Sequence, residues 1–343
     1  MKTSIIIAVI ILLTILIFTY VGYYLINPSQ KGQKIINNLS IPYPSVIAHR
    51  GASVYAPEST RAAFSLARKQ GADYMEADIQ RSSDGRIIIF HDRDLKRLSN
   101  VESVFPERED YTVGNFTYEE LQKLDTGSWF NERYPSRAKP EYEGLGIITL
   151  SELLDIAENG ENKPGLFLEF KNPHLYPGIE EQTIEILRKK GWLDNTDIRD
   201  EISSSVKHTV SEELSDTVDV GKGPSRLVFI SFDINSLDRV RKLVPEFPRI
   251  LLINDNMVSR SSWSRWLNLA RDRVDGLGPK GFVAWPWHIT AAHDEGLFVA
   301  PFVINHAWQI KLLSHFRADA YITDNPIIIL NFLGRLMELS PEN

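Results

Sequence analysis

The stretch that decides the fold is Ser45-Val46-Ile47-Ala48-His49-Arg50-Gly51, a short apolar run that ends in a histidine, an arginine and a glycine. Three further apolar runs end in the same abrupt way, at Glu76-Ala77-Asp78, at His91-Asp92 and at Glu169-Phe170-Lys171. Short apolar runs closed by polar residues are typical of buried strands. Polar groups at the ends of such strands can converge on one mouth, while the apolar parts of the strands hold them in position.

Apolar runs of this kind recur from Ser45 onward and mostly alternate with helical patterns. Repeated strand–helix alternation predicts a parallel α/β sheet with right-handed crossovers. If Ile87–His91 extends the second unit, eight units remain, which is the number that closes a (β/α)8 TIM barrel. The predicted barrel domain covers residues 45–335. An open doubly wound sheet is the alternative, because strand counting does not distinguish the two folds.

Two polar stretches interrupt the alternation. Residues 93–147 carry three prolines and one helical pattern at Thr117–Leu124, and they predict a long insertion after the second strand region, on the side of the polar strand ends. Residues 200–225 are rich in serine, threonine and acidic residues and predict a surface excursion.

The composition of the 343-residue chain limits its class. Its apolar fraction of 43% and charged fraction of 24% are those of a globular protein. The net charge of −7 argues against a nucleic-acid partner, because binding a phosphate backbone requires a basic face. The chain has no cysteine, which excludes disulfides and thiolate metal sites.

The N-terminus predicts a membrane span. Residues 4–26 carry no charge and are rich in apolar side chains, and about 20 such residues suffice to cross a bilayer. The run is longer than the core of a signal peptide, and Tyr20, Tyr23 and Tyr24 suit the membrane interface. Residues 1–27 are therefore predicted to be an uncleaved signal anchor, with cleavage as the alternative, and residues 28–44 a tether. We expect the large domain on the extracytoplasmic side, because long domains translocate despite the nearly balanced flanking charges.

The carboxylates at the strand ends indicate a cation. Glu76 and Asp78 lie two residues apart, so on a strand they share one face. Burying two inward-facing carboxylates would destabilise the fold by several kcal/mol unless a cation balanced their charge. The alternative is that this face of the strand is exposed to solvent. Glu169 repeats the pattern, and Lys171 shares its face. Hard oxygen ligands without cysteine suit Mg²⁺ or Ca²⁺ better than Zn²⁺, with Mn²⁺ a further candidate.

The histidines at the strand ends indicate acid–base chemistry. His49 and His91 can donate or accept a proton near neutral pH, although each taken alone could be a structural histidine at a strand end. Arg50 can bind a phosphate through its fork of donors. Trp285, Trp287 and Phe302 could wall a pocket, with core packing as the alternative.

Taken in order, these motifs resemble the glycerophosphodiester phosphodiesterase family. The resemblance runs from Ser45 to about Leu330 and also includes Pro57-Glu58-Ser59-Thr60 and Ile322-Thr323-Asp324-Asn325-Pro326. It implies a TIM barrel that hydrolyses small glycerophosphodiesters to glycerol 3-phosphate and an alcohol with a divalent metal. By position, the resemblance implies these roles: catalysis by His49 and His91, metal binding by Glu76, Asp78 and Glu169, phosphate contact by Arg50, a positive neighbour in Lys171 and support from Glu58.

One departure concerns the substrate. Where the family has Trp-Thr-Val-Asn near the seventh strand, this chain has Phe302-Val303-Ile304-Asn305, so Phe302 is expected at the substrate but the leaving alcohol stays open. The membrane span leaves a second hypothesis, phospholipase D-type hydrolysis of lysophospholipids at the bilayer. A third hypothesis is a non-catalytic, membrane-tethered binding module, which would need every one of these side chains to be idle.

Overall fold

A computed structural model describes residues 2–193 and 226–336, and the excursion predicted at residues 200–225 lies outside them. Eight parallel strands follow one another around a single sheet, with a ninth short strand beside them. The strands are β1 (Ser45–His49), β2 (Tyr74–Arg81), β3 (Ile87–Ile89), β4 (Gly165–Phe170), β5 (Leu227–Ser231), β6 (Arg249–Ile253), β7 (Gly276–Pro279), β8 (Phe298–Val299) and β9 (Ala320–Thr323).

The sheet closes into a barrel. Its strand order is β8-β7-β6-β5-β4-β2-β1-β9, so β8 and β9 form the two ends. Backbone hydrogen bonds join these ends, from Asp319 N to Val299 O (2.9 Å) and from Ile322 N to Pro301 O (3.1 Å). β3 pairs antiparallel with β2 and lies off the path, which confirms that the second unit extends through it. The TIM-barrel prediction is therefore confirmed, and the open sheet is excluded.

Helices connect the strands and cover the barrel. The main ones are Arg61–Lys69, Leu150–Glu158, Ile179–Lys189, Ile234–Leu243, Asp255–Arg260, Trp263–Ala270, Pro286–Asp294, Ala307–His315 and Pro326–Phe332. Local sequence fixes where several begin. Thr149 and Glu152 form a reciprocal capping box at the start of Leu150–Glu158, and the Thr60 hydroxyl accepts from Ala63 N at the start of Arg61–Lys69.

The predicted insertion, residues 93–147, has its own small core. It contains the short helices Val101–Val104, Tyr118–Leu121 and Ser128–Arg133. Buried Leu98, Phe116 and Leu121 pack together with Phe90, which directly follows β3. This packing holds the insertion against the end of the barrel where β2 and β3 deliver their polar residues.

Residues 28–44 differ from the predicted tether. Helix α2 (Gly32–Asn38) and the turn after it bury Ile36 and Ile41 among the residues that fill the barrel interior. Gly32 lies against the buried His293–Asp319 pair, and a Cβ there would lie only 1.9 Å from Asp319 Oδ1. This segment therefore plugs the amino end of the barrel, because Ile36 and Ile41 are buried in the apolar interior there.

The N-terminal segment forms one helix, α1 (Lys2–Ile26). Within it, Ile5–Ile26 is long and apolar enough to cross a membrane, and that stretch is unburied. Only its last turns contact the barrel: the Tyr20 ring lies 6.2 Å from that of Trp287, and Leu25 O accepts a hydrogen bond from His315 Nε2 (2.9 Å).

Candidate active site

Strand register brings the predicted side chains to one end of the barrel. His49 on β1 lies opposite Glu76 on β2, and Asp78 on β2 lies opposite Glu169 on β4. On each strand, the residue two positions earlier, Ile47, Tyr74 or Phe167, is buried in the barrel interior. Because every second residue of a strand shares a face, the later residues face inward as well. The four functional side chains therefore point into the barrel at its carboxyl end.

Glu76, Asp78 and Glu169 form a compact acidic triad. One carboxylate oxygen from each lies within 4.8 Å of the others, and all three residues are buried. In the described part of the chain, Glu76 Oε1 and both carboxylate oxygens of Asp78 have no hydrogen-bond partner. Buried carboxylate oxygens without hydrogen-bond partners are costly, and a triad with this spacing could hold a metal ion.

Two cations neutralise the triad only in part. Lys171 Nζ lies 2.7 Å from Glu169 Oε1 and 3.3 Å from Asp78 Oδ1, and Arg50 Nε lies 3.4 Å from Asp78 Oδ2. Burial opposes ionisation of Asp78, but Lys171, His91 and Arg50 outweigh it and hold its pKa below the usual range. Burial, together with Asp78 and Glu169, raises the pKa of Glu76 well above its usual value. Glu76 is therefore the carboxylate of the triad whose negative charge is least compensated by the protein and whose ionisation is most opposed.

His49 is held by a carboxylate from the far end of the chain. Its Nδ1 lies 2.6 Å from Asp324 Oδ1, and its Nε2 lies 4.0 Å from Glu76 Oε2. Asn305 Nδ2 donates to the other oxygen of Asp324 (2.5 Å), and Asn305 Oδ1 accepts from Asp324 N (2.9 Å). Burial and the neighbouring Arg50 lower the pKa of His49. Asp324 was visible in the sequence only as part of a motif, and its role as the partner of His49 was not predicted.

His91 has a partner of the same kind. Its Nδ1 lies 2.5 Å from Asp92 Oδ1, so both histidines leave Nε2 for chemistry. Arg97 donates to both oxygens of Asp92, through Nε (2.5 Å) and Nη2 (2.8 Å). The same guanidinium donates to both oxygens of Glu58 (2.9 and 3.0 Å).

Arg97 therefore connects the two sides of the site. Glu58 also accepts from Arg50 Nη1 (2.6 Å), so a continuous chain of charges runs from His91 to the triad. Glu58, expected as a supporting residue, pairs with Arg50 and Arg97 and does not line the cavity. Sequence reasoning missed Arg97, whose only signal was its place five residues after Asp92 at the start of the insertion.

All of the predicted site residues except Asp78 and Glu58 line one cavity of about 120 Å³. Its polar lining consists of His49, Arg50, Glu76, His91, Glu169 and Lys171. Phe302 lines its apolar wall and meets Phe232 edge to face, with ring centroids 5.9 Å apart. Trp285 and Trp287, which the sequence also offered as pocket walls, are not among these lining residues. A wider groove of about 600 Å³ continues past His91 and Lys171 towards His174 and Asp233.

Gly51 allows two backbone segments to approach closely. Its φ of +84° lies in the left-handed region, and a Cβ would lie 2.5 Å from the backbone carbon of Ala63. The glycine allows the first strand-end loop to pack on helix Arg61–Lys69, which in turn orients Arg50.

A closed parallel barrel with an acidic triad, two carboxylate-paired histidines and two cations at its carboxyl end has the architecture of a TIM-barrel enzyme, whose active site lies at that end. The model of the glycerophosphoryl diester phosphodiesterase family matches residues 49–328. This chain belongs to that family.

Known relatives agree with the assignment. A glycerophosphodiester phosphodiesterase of Bacillus subtilis is 30% identical over 303 residues, which cover 88% of this chain and 90% of the relative. One of Caldanaerobacter subterraneus is 28% identical over 84% of this chain and 98% of its own. An Oleispira antarctica phosphodiesterase, solved in complex with the product sn-glycerol-3-phosphate, matches with a TM-score of 0.61 and 27% identity, covering 85% of this chain and 97% of its own.

Proposed function

We propose that this chain hydrolyses glycerophosphodiesters to glycerol 3-phosphate and an alcohol. The observation that carries the proposal is a cavity lined by two histidines, two cations and the carboxylates of Glu76 and Glu169, with the buried third carboxylate, Asp78, beside them. The names of the relatives and the product bound to the Oleispira antarctica phosphodiesterase support the same substrate class. No corresponding observation favours a phospholipase D-type cut over this one.

Glu76, Asp78 and Glu169 would hold a divalent metal, Mg²⁺ or Ca²⁺, with Mn²⁺ a further candidate. The fit rests on the donor set and its charge: three carboxylates and the two cations Lys171 and Arg50 leave one net negative charge, and two of the carboxylates have buried oxygens without partners. Hard oxygen donors of this kind suit these ions. When bound, such an ion supplies Lewis-acid stabilisation of the negative charge on a phosphate oxygen.

We assign His49 as the general base and His91 as the general acid. Asp324 accepts from Nδ1 of His49, which leaves Nε2 to take a proton from the nucleophile, a water molecule or the substrate's own hydroxyl, as its oxygen attacks phosphorus; in the second case water completes the hydrolysis. His91 lines both the cavity and the wider groove, so its Nε2 can protonate the alcohol that leaves through that groove. Asp324 stabilises the imidazolium of His49 after that ring has taken its proton, and Asp92 stabilises the imidazolium of His91 before that ring donates its proton.

Arg50 and Lys171 would bind the phosphate. Both line the cavity, and both are anchored by carboxylates on their inner side, which fixes them before the substrate arrives. Fixed cations at the non-bridging oxygens stabilise the charge that develops in the transition state. Phe302 would contact the carbon skeleton of the substrate from the apolar wall.

The test uses the full chain in detergent, stripped of metal and then given Mg²⁺, Ca²⁺ or Mn²⁺. Glycerol 3-phosphate is followed from glycerophosphocholine and glycerophosphoethanolamine, with choline release from lysophosphatidylcholine measured alongside. We expect metal-dependent glycerol 3-phosphate, and a loss of ~10²–10⁴-fold in both His49→Ala and His91→Ala. Choline from the lipid alone would replace the proposal with the lysophospholipid hypothesis. Tight diester binding without turnover would replace it with the binding module.

We also propose that residues 1–27 are an uncleaved signal anchor and that the barrel domain, residues 45–335, lies on the extracytoplasmic side. The unburied apolar stretch Ile5–Ile26 supports the anchor. Protein in cell membranes should resist alkaline extraction, keep its N-terminal epitope tag and lose its barrel to protease added outside the cytoplasmic membrane. Release of an untagged barrel would instead show cleavage.

A further inference from the structure

Three large aromatic side chains are exposed at the active-site end of the barrel. Phe282 is 67% exposed, Trp285 45% and Trp308 54%. Phe282 and Trp285 follow the carboxyl end of β7, and Trp308 follows the segment that carries Phe302 into the cavity. The Phe282 and Trp308 rings lie 6.5 Å apart, so side chains from two different loops form one surface, here termed the aromatic rim.

The aromatic rim is continuous with α1. The Trp285 ring stacks on that of Trp287, with centroids 5.3 Å apart and an interplanar angle of 2°. Trp287 in turn lies 6.2 Å from the Tyr20 ring of α1. Aromatic contacts therefore run from Trp285, in the loop after β7, to the candidate membrane span.

The direction of α1 relative to the barrel follows from two contacts. Tyr20 lies beside Trp287 at the start of helix Pro286–Asp294, which begins at the carboxyl end of the barrel and runs back towards the amino end. Lys31 Nζ, just beyond α1, lies 2.6 Å from Asp294 Oδ1 at the end of the same helix. The chain therefore descends along the barrel from Tyr20 to Lys31, and the part of α1 before Tyr20 extends beyond the active-site end.

The length of that extension matches a bilayer. At 1.5 Å per residue, Lys2–Thr19 is about 27 Å long, close to the roughly 30 Å of bilayer hydrocarbon. Tyr20, Tyr23, Trp285 and Trp287 would then lie at the interface, where tyrosine and tryptophan side chains are enriched in membrane proteins.

The charge of this end of the barrel points to an anionic surface. The segments after β6 and β7, residues 254–268 and 279–291, contain three basic residues, Arg260, Arg265 and Lys280, against the single acidic residue Asp255, which pairs with Lys280. The whole chain carries a net charge of −7, so this local excess of positive charge runs against the overall balance. Basic residues near a bilayer are attracted to anionic lipid headgroups.

We propose that the aromatic rim is a membrane-docking surface that seats the active-site end of the barrel on an anionic bilayer. The inference rests on the proposed anchor role of α1 and goes beyond the proposed function. The mouth of the cavity then opens at the lipid–water interface, and substrates reach it from the layer of headgroups.

The absence of cysteine makes a site-directed test direct. Single Phe282→Cys and Trp308→Cys variants of the full chain are labelled with an environment-sensitive fluorophore and reconstituted into vesicles of phosphatidylcholine and phosphatidylglycerol that carry spin-labelled quencher lipids. The matched control is Phe332→Cys. Phe332 is also an exposed phenylalanine (42%), but it lies at the opposite, amino end of the barrel, close in sequence to Arg335, which donates a hydrogen bond to Pro44 O there. We expect a blue shift and loss of fluorescence at positions 282 and 308 but not at 332, with more quenching as phosphatidylglycerol increases.

Equal quenching at the three positions, quenching at 332 alone or quenching at none would overturn the proposal. A blue shift at 282 and 308 that depends on protein concentration and not on lipid would also overturn it, since a second copy of the chain would then cover the rim. Each labelled protein is also assayed for glycerol 3-phosphate release from soluble glycerophosphocholine. Release without quenching rejects only the docking surface, whereas quenching without release rejects only the proposed function.

Discussion

The Nδ1 atom of His49 lies 2.6 Å from Oδ1 of Asp324, although the two residues are 275 positions apart in the chain. His49 ends β1 and Asp324 follows β9, and these strands pair in parallel. The contact therefore exists because the last strand returns beside the first. It fixes the ring so that Nε2 faces the triad and the cavity.

Asp324→Asn should lower kcat by roughly 10²-fold or more, because an amide can stabilise the wrong ring tautomer and cannot balance an imidazolium. The measurement is steady-state release of glycerol 3-phosphate from glycerophosphocholine. Asp255→Asn is the control, since that carboxylate pairs with exposed Lys280 at the same end of the barrel. Equal activity of both variants would exclude Asp324 as the orienting partner.

Stability should depend on Asp324 in a pH-dependent way. Burial opposes its ionisation, but the hydrogen bond to His49 outweighs burial and lowers the pKa of Asp324 from 3.8 to about 2. A depressed pKa contributes stability above the unfolded value and loses it as the pH falls through the folded value. We expect the difference in unfolding free energy between the wild type and Asp324→Asn to be constant above about pH 5 and to shrink towards pH 2. Urea unfolding across this range measures it, and a gap that widens on acidification would contradict the sign.

Metal binding should be visible without turnover. An ion that binds only the folded state raises the unfolding temperature. We expect Mg²⁺ or Ca²⁺ to do so in the wild type and to do so less in Glu76→Gln, which keeps the shape of the side chain but removes its charge. In chelator, Glu76→Gln should unfold at the same or a higher temperature, because carboxylate repulsion is relieved. Exposed Glu141→Gln is the control, and an equal metal-induced shift in both variants would argue against the triad as the site.

Arg97→Lys should lower kcat by about 10–100-fold, as loss of a supporting contact commonly does. Lysine cannot donate to Asp92 and Glu58 with the fixed fork of a guanidinium. Thermal unfolding should change little, because Arg97 is 43% exposed on its side chain. Arg108→Lys in the same insertion, where Arg108 pairs with Glu120, is the matched control. If the two variants have the same kcat, Arg97 is not a positioning residue.

Gly32→Ala tests whether residues 28–44 plug the barrel. The added Cβ would lie 1.9 Å from Asp319 Oδ1 and 2.7 Å from the His293 ring, and overpacking of this kind costs roughly 1–3 kcal/mol. Gly146→Ala is the control, because the nearest atom to its Cβ would lie 4.0 Å away. Urea unfolding measures the change in the free energy of unfolding for both variants. A neutral Gly32→Ala would mean that the segment detaches from the barrel and is the tether that its composition suggests.

The sequence by itself determined the strand–helix alternation, the eight units and the polar residues at the strand ends. These are local properties: a buried parallel strand reads as an apolar run, and an inward-facing pair such as Glu76 and Asp78 needs only the two-residue period of a strand. The family resemblance placed the same residues in order. Strand register then brought them together as expected, with Asp78 opposite Glu169.

Only the tertiary structure decided which groups support them and how the N-terminus meets the barrel. Arg97 reaches Glu58, and Asp324 reaches His49, across sequence separations that no local pattern encodes. In the sequence, Ile36 and Ile41 belong to a stretch that predicts a polar tether. In the structure they are buried, because the amino end of the barrel provides apolar space for them. The physical reason is that closure of the barrel creates both the active-site mouth and the opening at the amino end. Which side chains meet at these two ends depends on the order of the strands around the barrel and not on their neighbours in the sequence.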